Sequence, residues 1–125
     1  MSGEGGRTST KSVLVVDDDR SLRLLCRVNL ELDGHVVYEA STLAEAREVI
    51  ERESPDVILL DVHVGSEDGL DLLDEVEALD LPVRVVLLSG TSDVSSELRS
   101  RVVDVLGKPF ELGRLAAAVT GLILR

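Results

Sequence analysis

Apolar runs too short to be helices, each stopped by a polar or glycine residue, recur along the chain. Val13–Val16 ends at Asp17, Val57–Leu60 at Asp61, Val83–Leu88 at Ser89, and Val102–Leu106 at the Gly107-Lys108 pair. Runs of this length between turn signals read as strands buried on both faces. A shorter strand, His35–Glu39, is built around Val36, Val37 and Tyr38. Segments with apolar residues at helical spacing separate the runs. Strand and helix alternating in this way imply a five-stranded parallel sheet with helices on both faces, joined by right-handed crossovers. The fold class is a doubly wound α/β domain.

The first helix is expected to carry Leu22, Leu25, Cys26 and Asn29 on its inner stripe, with Arg20, Arg23 and Arg27 turned outward, and to stop at Asp33-Gly34. The second starts at Ser41 or Thr42, either of which can cap it, and buries Leu43, Ala46, Val49 and Ile50 before Ser54-Pro55. The third presents Leu70, Leu73 and Val76 and ends before Leu81-Pro82. Residues 93–100, with Val94 and Leu98 four apart among three serines, make a short, weak fourth helix. The last helix buries Leu112, Leu115, Ala116, Val119, Leu122 and Ile123. Residues 1–11 are rich in Gly, Ser and Thr and read as a disordered leader, which leaves residues 12–125 as a single domain.

Composition narrows the function. Aromatic residues are 2% of the chain, so the core must be aliphatic. A formal net charge of −11 opposes direct binding to nucleic acid, which needs clustered Lys and Arg. One cysteine, Cys26, precludes an internal disulfide and fits a small core hydrophobe in a reducing compartment. No signal peptide or membrane-spanning run is present in the sequence, so a cytoplasmic location is expected.

Parallel strands place their carboxyl ends on one edge of the sheet, where ligands of such folds bind. That edge receives Asp17 and Asp18, Asp61, Ser89 and Lys108. Converging carboxylates repel one another, and Mg²⁺ is a fitting counter-ion, since it takes oxygen ligands and binds together with phosphate. A carboxylate can act as the nucleophile that forms an aspartyl phosphate. Lys108, the metal and the Ser89 hydroxyl can then stabilise the phosphoryl group in flight. Asp61, ending the central run, is the expected acceptor.

The strings VLVVDDD, DVILLDVHVGSEDGLDLL, VVLLSGT and LGKPF resemble, in order, the signature blocks of receiver domains of two-component response regulators. The resemblance spans nearly all of residues 12–124. It implies a flavodoxin-like sheet of order 2-1-3-4-5 and a domain that catalyses only its own phosphorylation and dephosphorylation. It further implies Asp61 as phosphoacceptor and Asp18 as a direct Mg²⁺ ligand. Asp17 would hold the ion directly or through water, and the main-chain carbonyl of His63 would add a ligand. Ser89 matches the hydroxyl residue that contacts the phosphoryl group. Lys108 matches the lysine before a commonly cis proline. A histidine kinase or phosphotransfer protein is the implied donor and another protein the target, with a homodimer left open.

The chain also departs from the family pattern. Val105 stands where the fifth strand commonly carries Tyr or Phe, Arg101-Val102 replaces a Gly-Ala pair, and the interval from Ser89 to Lys108 is short. Gly65 replaces a common proline. All but the last lie where the family transmits its signal, which makes a phosphorylation-independent pseudo-receiver one competing reading. The other is a small phosphohydrolase of the haloacid dehalogenase kind, with Asp17 as nucleophile and Asp19 as general acid. His63, two residues past Asp61, is placed to tune dephosphorylation; neither it nor His35 belongs to a metal-ligand pattern.

Overall fold

A computed structural model of the chain describes residues 10–90 and 94–121. The elements are β1 (Ser12–Val16), α1 (Arg20–Leu32), β2 (Val36–Ala40), α2 (Leu43–Glu53), β3 (Val57–Asp61), β4 (His63–Val64) and β5 (Glu67–Asp68). They continue with α3 (Leu70–Ala78), β6 (Arg84–Ser89), α4 (Ser96–Arg99), β7 (Asp104–Gly107) and α5 (Leu112–Thr120). The main sheet runs β2-β1-β3-β6-β7, every pairing parallel. Counting only its five strands, that is the order 2-1-3-4-5.

Period-two alternation sorts the strand side chains onto two faces. Leu14, Val16, Ile58, Leu60, Val85 and Leu87 pack towards Leu43, Ala46 and Val49 of α2 and Leu72, Leu73 and Val76 of α3. Val13, Val15, Val57, Leu59, Val86 and Leu88 pack towards Cys26 and Leu30 of α1 and Leu115, Ala118 and Val119 of α5. Both faces are covered, which is why β3, and β6 after Arg84 at its start, carry no polar side chain until Asp61 and Ser89. On the first of these faces, at the edge strand β2, the Tyr38 hydroxyl donates to Glu53 (3.2 Å).

Side-chain caps start the helices. Asp19 accepts from the amides of Ser21 (3.0 Å) and Leu22 (3.3 Å) at the head of α1. Thr42, rather than Ser41, caps α2 by accepting from the Glu45 amide (3.1 Å), while Glu45 accepts from the Ser41 amide (2.7 Å). That reciprocal pair satisfies two backbone donors at once.

Several expectations need correction. Leu25 is 44% exposed, because Cys26 and Leu30, four apart, define the inner line of α1 and leave Leu25 on its flank. Arg23, expected to point outward, turns inward, with its side chain 14% exposed. Leu112 is exposed on the first turn of α5, and Ala117 and Ala118 are more buried than Ala116. The fifth strand of the sheet is Asp104–Gly107 rather than Val102–Leu106. Arg101 is drawn to Asp74 and Glu77 of α3, so the chain turns through residues 101–103 before it enters the sheet. The fourth helix is one turn, Ser96–Arg99. Asp93, Leu122, Ile123 and residues 1–9 of the expected leader lie outside the described residues. Lys11, also assigned to that leader, donates its amide to His35 Nδ1 (2.9 Å) and accepts from the Val36 amide (3.0 Å).

Candidate functional site

β3 is the middle strand, paired with β1 on one side and β6 on the other, and all five of its residues are buried. Its last residue, Asp61, is 7% exposed and stands at the carboxyl edge of the sheet. One oxygen, Oδ1, accepts from the His63 amide (3.2 Å). Beyond it the chain folds into the small hairpin β4–β5, in which His63 pairs with Asp68. This hairpin is tied down by Glu67, which accepts from the Leu43 amide at the head of α2 (3.0 Å). Asp68 accepts from the Leu70 amide (2.9 Å) and so starts α3.

β1 delivers the other two acids. Asp17 extends the β1–β2 ladder by one bond, from its amide to the Ala40 carbonyl (3.1 Å), and then the chain turns into α1. Its side chain is fully buried: Oδ1 accepts from the Asp19 amide (2.9 Å) and Oδ2 from the Lys108 ammonium (2.8 Å). Asp18 is exposed. Asp17, Asp18 and Asp61 each offer a carboxylate oxygen, and these oxygens lie within 4.8 Å of one another. Among the described residues this is the cluster of acids suited to a metal ion, and hard oxygen donors so grouped fit a small divalent cation.

Lys108 arrives from the end of β7. Its amide donates to the Ser89 carbonyl (2.7 Å), and the Lys108–Pro109 peptide is cis. Its ammonium bridges Asp17 and Asp61, 3.1 Å from Asp61 Oδ2. Burial pushes the Asp17 carboxyl above its ordinary range despite the opposing bonds from Lys108 and Asp19. Burial alone would lower the Lys108 ammonium; its bonds to Asp17 and Asp61 outweigh that and hold it above its usual range. Ser89, at the end of β6 and 4% exposed, completes the edge. His63 is exposed, and of its groups the amide touches Asp61.

The structure therefore brings together the strand-end residues named from the sequence. It adds Arg23, which sequence reasoning placed on the solvent face. Its Nη1 donates to the Asp17 carbonyl (2.7 Å) and its Nε to Glu39 (3.0 Å). A signal was available: a cation near a helix N-terminus opposes the helix dipole and calls for an anionic partner.

Residues 13–120 match the response regulator receiver domain family. The chain belongs to that family. It is 34% identical to response regulator MprA of Mycobacterium ulcerans over 90% of this chain and 50% of that one, so it spans about half the length of that relative. It is 25% identical to sporulation initiation phosphotransferase F of Bacillus subtilis, over 87% of this chain and 90% of the relative. Among solved structures, a response regulator from Burkholderia pseudomallei carrying a phosphorylated aspartic acid, a calcium ion and citrate superposes with a TM-score of 0.76. Its identity is 26%, over 86% of this chain and 65% of that one.

Receiver domains take their phosphoryl group from histidine kinases or phosphotransferases. The acidic pocket of Asp17, Asp18 and Asp61 is that of a receiver in two-component signalling, consistent with phosphorylation of an aspartate. The haloacid dehalogenase alternative is set aside by the family match. No helix among the described residues is long and apolar enough to cross a membrane.

Proposed function

We propose that residues 12–125 form one receiver domain that takes a phosphoryl group on Asp61 from a histidine kinase or phosphotransfer protein, in a Mg²⁺-dependent reaction in the cytoplasm. The observation that carries this reading is the convergence on Asp61: an acid at the end of the central strand, 3.1 Å from Lys108 and within 4.8 Å of oxygens of Asp17 and Asp18. Asp17, Asp18 and Asp61, with the main-chain carbonyl of His63, are the residues that would hold Mg²⁺. When bound, the ion neutralises charge on the acids and on the phosphoryl oxygens.

The chain's own residues do the rest. The bond between phosphorus and the donor nitrogen breaks as one between phosphorus and an Asp61 oxygen forms, and the donor histidine departs. Lys108, already charged and held by Asp17, is positioned to follow the charge from Asp61 onto the phosphoryl oxygens. Ser89 donates its hydroxyl to another of those oxygens. His63 stands at the mouth of the site and controls access of water to the product. The phosphorylated aspartate and calcium ion carried by the Burkholderia relative support the same assignment here. Output then passes through a changed protein surface to a partner protein or to a second copy; the domain acts on no substrate but itself.

Incubation with Mg²⁺ and acetyl phosphate, followed by intact mass measurement, tests this. The expected result is one added phosphoryl group, absent from Asp61→Asn and without Mg²⁺. A folded, Mg²⁺-binding protein that gains nothing from any small phosphodonor would instead be a phosphorylation-independent interaction module.

A further inference from the structure

We infer that Arg23 is a positioning residue for the metal-binding acids, which it aligns through the main chain; the inference rests on the Mg²⁺-dependent reading above. Asp17 has a partner on every polar group: Ala40 on its amide, Asp19 on Oδ1, Lys108 on Oδ2 and Arg23 on its carbonyl. Of these, the carbonyl bond decides where Asp18 points. The carbonyl of Asp17 and the amide of Asp18 share one rigid peptide plane. Rotating that plane swings Asp18 relative to Asp17, and the ladder with β2 no longer restrains it beyond the Asp17 amide. The Arg23 bond at 2.7 Å fixes it.

Arg23 is itself held. Its Nε donates to Glu39 Oε1 (3.0 Å), and Glu39 Oε2 accepts from Arg27 (3.0 Å), whose Nε donates to Glu31 (3.1 Å). This row of alternating charges ties the end of β2 to α1 and leaves Arg23 little freedom, since its side chain is 14% exposed. Because it binds a carbonyl and not a carboxylate, Arg23 braces the acids without occupying an oxygen that a cation would use. Arg23 reaches its two acceptors from two separate nitrogens of one rigid plane, a spacing that the single nitrogen of a lysine does not reproduce.

Calorimetric titration of the metal-free protein with MgCl₂, alongside thermal unfolding, tests this on the wild type, Arg23→Met, Arg23→Lys and Arg27→Met. Groups that orient metal ligands cost about 10- to 100-fold in affinity when removed, and about tenfold weaker Mg²⁺ binding is expected for Arg23→Met. Arg27→Met, which breaks the outer part of the row but leaves the Arg23 bonds to Glu39 and the Asp17 carbonyl, should weaken Mg²⁺ binding far less than Arg23→Met. Should Arg23→Met not fold, Arg23→Lys carries the test: it keeps the charge but has one nitrogen in place of the separate Nε and Nη1 that reach Glu39 and the Asp17 carbonyl, so its affinity also falls. A folded Arg23 variant with reduced thermal stability and unchanged Mg²⁺ affinity would overturn the inference and leave Arg23 a structural residue. Wild-type protein that binds no Mg²⁺ would overturn the underlying reading, and this inference with it.

Discussion

Gly69 lies so close to the main-chain carbonyl of Asp61 that a Cβ there would collide with the carbonyl oxygen. Its φ of −58° is ordinary helical backbone, so the position needs glycine for room and not for a left-handed turn. Its amide donates to the Val62 carbonyl (2.7 Å), closing the hairpin loop against the end of β3. Gly69→Ala should therefore displace the backbone of Asp61, the proposed phosphoacceptor. Overpacking of this kind costs about 1–3 kcal/mol, readable by urea unfolding. Misplacing the nucleophile by an ångström should slow phosphorylation by acetyl phosphate up to about 100-fold.

Asp17 and Lys108 should respond in opposite senses to removal of their charges. Asp17 is fully buried with its carboxyl pushed up by burial, so its ionised form strains the metal-free fold. Asp17→Asn keeps the shape and is expected to stabilise the protein in EDTA by about 1 kcal/mol while weakening Mg²⁺ binding. Lys108→Met strands two buried acids. It should cost about 2 kcal/mol, less than for a fully enclosed pair because the lysine is 25% exposed. Mg²⁺ should restore part of that loss. Urea unfolding with and without the ion checks both.

Glu39 gives the α1–β2 row a defined pH dependence. Burial raises its carboxyl, but bonds from Arg27 and Arg23 outweigh this and hold it below its ordinary value of 4.5. A depressed folded value means stability that is fully present above pH 4.5 and lost as pH falls below it. The difference in urea midpoint between wild type and Glu39→Gln should be constant from neutral pH down to that point and shrink beneath it. Partly exposed pairs of this sort contribute about 1 kcal/mol.

Arg101 holds the turn before β7 against α3. Its Nε and Nη2 reach Glu77 at 3.1 and 2.6 Å, and Nη2 also reaches Asp74. These groups face solvent, so Arg101→Ala should lower global stability only slightly, an effect that fades in about 1 M salt as the Debye length contracts. Locally the change should be larger, with faster amide exchange at Val102 and Val103, in the turn that leads into β7.

Much of this architecture is visible in the sequence because both sheet faces are covered. A strand buried on both sides must be apolar throughout, so Val57–Leu60 and Val13–Val16 announce themselves, and the residue that ends each run is placed by topology alone. Asp17, Asp61, Ser89 and Lys108 were legible for that reason. The elements misread are those governed by charge pairs between distant segments. Arg23 looks like any solvated helix cation until Glu39 and the Asp17 carbonyl are beside it. Val102 and Val103 read as strand until Arg101 is seen pulling the chain towards Asp74 and Glu77. The β4–β5 hairpin was missed because a pairing so short has no hydrophobic period to detect.

Tyr38 is the only tyrosine, and the chain has no tryptophan. It lies on the edge strand β2 with its hydroxyl bonded to Glu53 of α2, while the chemistry is gathered at the ends of β1, β3, β6 and β7. The protein's ultraviolet emission thus comes from the seam between β2 and α2, and the proposed phosphorylation site is optically silent. A fluorophore must be introduced before Mg²⁺ binding or acyl phosphate formation can be followed in a stopped-flow instrument. Phe110 is the natural place, since it lines the same shallow cleft as Lys108 and Pro109 and a larger ring can extend towards solvent there.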